Sequence, residues 1–173
     1  YSIDSKSFHS YTDYYFPEGA LEKHPNCELY KGWVKAGYLK LCKGDIIDYQ
    51  QIVDDILKKA NNLCIMGIGY DPYKSAEFVN LLSSSVGGEA DIINPVKQTY
   101  GTFTSPVESF EIAIYSNKIS FDPNPITPYC FANAVLDEDR NCNKKPIKKT
   151  HNAKIDSTIT NLMTFHLFNN LTS

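Results

Sequence analysis

Two aspartates carry the sharpest chemical signal in this chain. Asp71 follows the nearly continuous apolar run Leu63–Tyr70 and precedes Pro72. Asp156 stands in Lys154-Ile155-Asp156-Ser157, where an apolar-periodic stretch begins. Carboxylates are hard oxygen donors that suit Mg2+ and Mn2+. A converging pair can hold two such ions ~3.5–4 Å apart for phosphodiester hydrolysis. An acid just past the carboxyl end of a buried parallel strand lies where open α/β sheets bind ligands. Both residues also have a plainer reading, since Asp before Pro, or at a helix start, is a good N-cap. Spacing alone does not decide between the two readings.

A basic stretch leads into Asp156. Arg140, Lys144, Lys145, Lys148, Lys149 and Lys154 occur with no acid between Arg140 and Lys154. It reads either as a solvated loop or as a phosphate-contacting segment beside an acidic site. The other chemical signals are weaker. His9, His24, His151 and His166 are scattered, and no H-E-x-x-H or G-x-S-x-G is present. Gly67-Ile68-Gly69 lacks the third glycine of a dinucleotide fingerprint, and no G-x-x-x-x-G-K phosphate loop occurs. The five cysteines form no C-x-x-C pair, so they read as buried hydrophobes or exposed thiols in a reducing compartment. Asn170-Leu171-Thr172 matches a glycosylation sequon, a match common by chance.

The elements that must position these residues follow from periodicity. Tyr1–His9 reads as extended, and Pro17-Glu18-Gly19 breaks it. Leu29, Tyr30, Trp33 and Val34 fall at helical spacing, and a short strand over Tyr38–Leu41 ends at Gly44. Asp48 with Gln51 forms a capping-box pattern ahead of Ile52, Val53, Ile56, Leu57 and Ala60, and Asn61-Asn62 stops that helix. Leu63–Tyr70 predicts a strand buried on both faces, as in a parallel sheet. Pro72 then opens a helix with Phe78, Val79, Leu81 and Leu82 on its apolar face, and 83–88 is a loop. A strand follows at Asp91–Val96. Ser105-Pro106-Val107-Glu108 reads as a capping box opening a helix to about Asn117. Lys118–Phe121 is a strand, Asp122–Pro128 a proline-rich loop, Tyr129–Leu136 a helix and Asp137–Ala153 a polar loop. Asp156 opens the last helix, with Ile159, Leu162, Met163 and Leu167 facing inward. Alternating helices and strands predict an α/β fold with parallel pairing. The 173 residues, 42% hydrophobic, suit a single domain spanning 1–173. A net charge of −3 provides no whole-surface basic field, so any nucleic acid must meet a local patch. No apolar run approaches the ~20 residues of a membrane span.

Read together, these pieces resemble a known family. Tyr30-Lys31-Gly32-Trp33-Val34-Lys35-Ala36-Gly37-Tyr38-Leu39, then Gly44-Asp45-Ile46-Ile47-Asp48-Tyr49, is similar to the Y-x-x-W-x-x-x-G-x-L … G-x-x-x-D-Y run of large terminase subunits of tailed bacteriophages. Ile68-Gly69-Tyr70-Asp71-Pro72-Tyr73 resembles that family's strand ending in Asp-Pro. Gln98 with Ser105-Pro106, Asn124-Pro125, Asn133 and the lysine-rich approach to Lys154-Ile155-Asp156 also fit, so the likeness runs from about Phe16 to Asn169. Where the family has Gly after its last acid, this chain has Ser157.

The resemblance implies a carboxy-terminal nuclease domain with a ribonuclease H-like mixed sheet flanked by helices. It implies an endonuclease that cuts viral DNA during packaging, with two divalent metals, Mg2+ or Mn2+, held by acids. Asp71 and Asp156 carry over as two of those ligands, and Lys144, Lys145, Lys148, Lys149 and Lys154 as DNA contacts. Implied partners are double-stranded DNA, the portal protein, the small terminase subunit and an upstream ATPase domain, with no membrane, in the host bacterial cytoplasm at the procapsid portal. The family's first acid lies on a strand tens of residues before the F-P-E segment, here Phe16-Pro17-Glu18, so that strand is expected to be missing, neither Asp4 nor Asp13 to replace its acid, and this chain to bind metal weakly and cut poorly. The rival readings are a docking module without chemistry, and another ribonuclease H-like nuclease of resolvase or transposase type.

Overall fold

The structure, a computed structural model, describes residues 1–86 and 90–172. In chain order the elements are β1 (Phe8–Ser10), β2 (Tyr15–Pro17), α1 (Glu18–Leu21), α2 (Cys27–Lys35), β3 (Lys40–Cys42), α3 (Tyr49–Ala60), β4 (Ile68–Tyr70), α4 (Ala76–Ser85), a 3-10 turn (Ala90–Ile92), β5 (Ile93–Pro95), α5 (Tyr100–Tyr115), β6 (Ile119–Phe121), α6 (Ile126–Ala132), β7 (Ala134–Glu138), β8 (Lys144–Lys148) and α7 (Asp156–Leu171). This is an α/β chain. Among the described residues its strands associate as four two-stranded sheets, β1·β6, β2·β3, β4·β5 and β7·β8. β1·β6 and β2·β3 are parallel and β7·β8 is antiparallel.

The chain divides into two compact units. The first comprises Tyr1–Thr12, Gly69–Asp71 and Pro95–Ser173. Its core is Val96, Phe103, Val107, Phe110, Ala113, Ile155, Ile159, Leu162, Met163 and Phe165. Phe103 is completely buried, which stabilises the fold by roughly 1.5–3 kcal/mol relative to exposure. Residues of α7 and α5 meet at this core with Phe110 edge-on to Phe165, ring centroids 5.1 Å apart. The second unit comprises Asp13–Ile68 and Pro72–Asn94. In it α3 packs on α4, and Phe16, His24, Tyr30 and Trp33 form an aromatic cluster beside β2.

Several elements match the pattern in the sequence. Helix α2 forms on the Tyr30 and Trp33 face, which is buried. Asp48 caps α3, accepting from the N–H groups of Gln50 and Gln51 at 3.0 and 3.2 Å. The Gln51 side chain turns away to the Leu41 carbonyl, so only half of the capping box forms. The inward face of α7 is as expected, with Ile159, Leu162 and Met163 buried and Leu167 packed on the core.

Other expectations are corrected. The apolar run Leu63–Tyr70 is not a doubly buried strand: only Ile68–Tyr70 is extended in a ladder, and Leu63 and Met66 are exposed. Its partner β5 is three residues long and ends in Pro95, which lacks the N–H needed to extend a ladder. The segment Tyr1–His9 is not extended throughout. Lys6 adopts a positive φ of 48°, and Ser2 bridges Ser7 across a turn. The first residues of 83–88 belong to α4, which runs to Ser85, while Gly87 and Gly88 lie outside the described residues.

Helix α5 starts at Tyr100 under a Thr99 cap, not at Pro106. Pro106 sits inside the helix with its ring fully buried, and its missing N–H removes one backbone bond there. Asp122–Pro128 is loop only to Pro125. Pro128 enters the first turn of α6, where its missing N–H costs nothing. Tyr129–Leu136 is helical only to Ala132; Ala134–Glu138 is a strand, and the supposed polar loop contains its antiparallel partner Lys144–Lys148. The reversal between them rests on Asp139. Its Oδ1 accepts from Asn141 N–H and Asn143 N–H at 2.8 and 2.9 Å, and Cys142 takes φ 62°. These donors hold the Asp139 carboxyl below its ordinary pKa, with the Asn143 side chain the largest influence.

Candidate functional site

Both candidate acids fall in the first compact unit. Asp71 follows β4 and is half-buried. Pro72 does not open a helix; Tyr73 and Lys74 form a turn with Lys74 at φ 55°, and Ser75 occupies the N-cap position of α4. The Asp71 carboxylate accepts a hydrogen bond from the Gln98 side-chain amide. The β4 segment is anchored by Val96 N–H donating to the Tyr70 carbonyl at 2.8 Å.

Asp156 is the first residue of α7 and is exposed. Ile155 holds the N-cap position, and no side chain caps this helix. A carboxylate in the first turn is favoured by the helix dipole, yet Asp156 is not tied down as a cap. The start of α7 also meets the buried thiol of Cys130. Burial pushes that thiol up, against the opposing pull of the Ser157 and Asp156 backbone N–H groups, so it remains protonated and is no nucleophile.

β4 packs on α7 at Leu167, eleven residues and about 16 Å along the helix from Asp156, so this contact does not itself bring Asp71 and Asp156 together. A Cβ placed on Gly69 would lie 3.0 Å from Leu167 Cδ1 of α7 and 3.2 Å from Val96 Cγ2. Glycine two residues before Asp71 thus spares the Leu167 and Val96 side chains a shift of a few tenths of an ångström. Asp13, by contrast, is committed elsewhere: in the second unit it is ion-paired with Lys40 (3.4 Å) and Lys59. Asp4 lies in an exposed turn.

The donor chemistry fits a divalent cation of the Mg2+ type, which is commonly held by one or two carboxylates with water and substrate phosphate filling the rest. Among the described residues, no three His, Cys, Asp or Glu side chains come together as a metal cluster. One further acid, missed in the sequence, has a feature of interest. Asp122 ends the parallel pair β1·β6, its backbone N–H bonded to the Ser10 carbonyl at 3.0 Å, and its Oδ1 is buried with no hydrogen-bond partner. The Ser10 hydroxyl donates to Asn161 of α7 at 2.7 Å. Nothing in the linear pattern marked Asp122, since Asp before Pro in a proline-rich stretch reads as a turn.

The basic residues separate into two groups. In the hairpin register Lys144 stands opposite Glu138 and Lys145 opposite Asp137. Lys145 also lies over the Tyr100 ring, 4.4 Å from its centroid, and Tyr100 donates its hydroxyl to Asp137, a bond that raises the phenol's pKa. Lys145 thus packs on α5, and the Lys144 backbone N–H donates to the Thr104 hydroxyl of α5 at 2.9 Å. Lys148, opposite Ala134, is exposed, as are Lys149, Lys154 and Arg140. Asn133 joins the last of these segments: its carbonyl accepts from Lys149 N–H at 2.9 Å and its side-chain amide donates to the Lys154 carbonyl at 3.4 Å. Lys149 and Lys154 are thereby both tied to Asn133, and Lys154 stands two residues before Asp156.

The sequence matches the family described as "Terminase large subunit, endonuclease domain" over residues 3–170, and the chain belongs to that family. It is 28% identical over 168 residues to Protein YmfN of Escherichia coli (strain K12), a match covering 94% of this chain and 35% of that protein. Its fold is similar to that in the crystal structure of the HK97 bacteriophage large terminase, with a TM-score of 0.76 at 20% identity, covering 88% of this chain and 32% of that one. The chain thus spans about a third of the length of these relatives.

Proposed function

We propose that this chain is a metal-dependent endonuclease domain that cuts viral double-stranded DNA during genome packaging, with 1–173 as a single nuclease domain of ribonuclease H-like type. The observation that carries the reading is the family match over residues 3–170, with Asp71 at the end of a strand and Asp156 at the start of a helix. Asp71 and Asp156 hold Mg2+ or Mn2+ in this reading. A divalent cation bound there supplies Lewis-acid stabilisation of phosphoryl charge and a lowered pKa for bound water. Gln98 orients Asp71. Lys148, Lys149 and Lys154 contact backbone phosphates without reading sequence, while Lys144 and Lys145 maintain the hairpin beneath them. The partners proposed are the portal protein, the small terminase subunit and an ATPase domain, with the assembly working in the host cytoplasm at the procapsid portal.

Conversion of supercoiled plasmid to nicked and linear forms in Mn2+ tests the reading. The native chain is expected to cut weakly, and Asp71→Ala and Asp156→Ala to abolish that cleavage while remaining folded. Alanine variants that cut like the native chain would refute the assignment of these acids. The absence of a three-ligand cluster among the described residues favours one alternative, a docking domain of the packaging motor without chemistry of its own. Plasmid left intact by the native chain, together with retained binding to the portal protein, would establish that alternative.

A further inference from the structure

We infer that Gln98 is a positioning residue for Asp71, holding its carboxylate for a divalent cation without neutralising it; the inference rests on the proposed metal-binding role of Asp71. The geometry is specific. Gln98 Nε2 donates to Asp71 Oδ2, and because an ionised carboxylate only accepts, the amide must present its N–H side there. The segment bearing Gln98 is fixed on both sides. Val96, almost wholly buried, donates its N–H to the Tyr70 carbonyl at 2.8 Å, directly before Asp71. Thr99 donates its own N–H to the Lys97 carbonyl at 2.9 Å and accepts from Thr102 N–H as the cap of α5. Gln98 thus lies between a sheet contact and a helix cap, and its amide reaches Asp71 from a backbone with little freedom to drift.

The type of donor matters as much as its place. The second unit shows what a lysine does to a carboxylate: Asp55 and Asp13 are bound by the Lys40 and Lys59 ammonium groups. A lysine at position 98 would likewise orient Asp71, but its positive charge would repel an incoming cation. A neutral amide fixes the oxygen and leaves the carboxylate's charge available. Hydrogen-bonding partners of this kind around ligating groups govern metal affinity by about 10–100-fold.

The test measures Mn2+ affinity from the free-ion electron paramagnetic resonance signal, alongside thermal unfolding. Gln98 is exposed, so its substitutions leave the core untouched. Gln98→Met, similar in length but lacking the donor, is expected to weaken Mn2+ binding about 10–100-fold with unfolding temperature unchanged. Gln98→Lys, which keeps a donor and adds charge, is expected to weaken it at least as much. A merely structural Gln98 predicts the reverse: a lower unfolding temperature in Gln98→Met, and native Mn2+ affinity in Gln98→Lys. Native-like Mn2+ binding in Gln98→Met, or its recovery in Gln98→Lys, would overturn this inference alone. A native chain that takes up no Mn2+ would overturn the metal reading of Asp71 and the inference with it.

Discussion

If Lys148, Lys149 and Lys154 contact phosphates, their joint removal must change the salt dependence of DNA binding by a calculable amount. Each phosphate neutralised on duplex DNA contributes about −0.9 to the slope of log K against log salt. Three such contacts contribute about −2.7, so the triple alanine variant should bind duplex DNA with a slope shallower by that much. With equal affinities extrapolated to 1 M salt, the same number makes binding about 500-fold weaker at 0.1 M. The three lysines are chosen because each is exposed, Lys148 is registered opposite Ala134, and Asn133 bonds to the backbones of Lys149 and Lys154. Lys144 and Lys145 provide the contrast. They face acids across the hairpin, and Lys145 lies over Tyr100, so their replacement should lower stability and leave the slope within about one unit of native. Fluorescence anisotropy of a labelled random-sequence duplex from 50 to 400 mM KCl measures both variants. An unchanged slope in the triple variant, or a larger change in the Lys144/Lys145 variant, would refute this division of the basic stretch.

Two further outcomes follow from the same structure. Asp55→Asn removes charge-assisted bonds from Lys40 at 2.6 Å and Tyr15 at 2.7 Å; because Lys40 and Asp55 remain about a third solvent-exposed, solvent screening reduces the cost to about 1–2 kcal/mol. Lys40 and then Tyr15 hold the Asp55 carboxyl below its ordinary pKa, so the stabilisation is fully present above the unfolded-state pKa of about 3.9 and is lost as pH falls through the lower folded-state pKa. Urea unfolding should therefore separate native and variant at pH 7 and draw them together as pH falls through that folded-state pKa, and a difference that stays constant into acid would contradict the assignment. Gly69→Ala places a methyl 3.0 Å from Leu167 and 3.2 Å from Val96. It should cost about 1–3 kcal/mol by overpacking and, by moving α7 against β4, reduce plasmid cleavage; native stability in this variant would show that the close approach is not needed.

How far the fold could be read depended on whether the deciding interaction was local. Helices α2, α3 and α7 were legible because their own apolar spacing and, for α3, the Asp48 cap lie within one or two turns. The hairpin β7·β8 was not. Its first strand carries a short apolar run that reads equally as helix, and its second is lysine-rich and reads as loop. Cross-strand pairing of Asp137 with Lys145 and Glu138 with Lys144, turned by Asp139, made both of them strands. Pro106 and Pro128 misled for a related reason. Proline marks a helix start only when nothing upstream caps the helix earlier.

For the site, residue types and their order were enough to single out Asp71, Asp156 and the basic stretch, because carboxylates after an apolar strand and lysines before a helix are properties of the chain itself. Which residue stands at each helix N-cap, which lysine packs on a ring, that Gln98 reaches Asp71, and that Asp122 keeps a buried oxygen without a partner were decided only by tertiary structure. Each depends on contacts between residues distant in sequence: Gln98 lies 27 positions from Asp71, and Lys145 lies over a ring 45 positions earlier. The sequence alone determines what a side chain can donate, accept or neutralise. Folding determines which partner it meets, and so whether that capacity is used in the scaffold or left for a ligand.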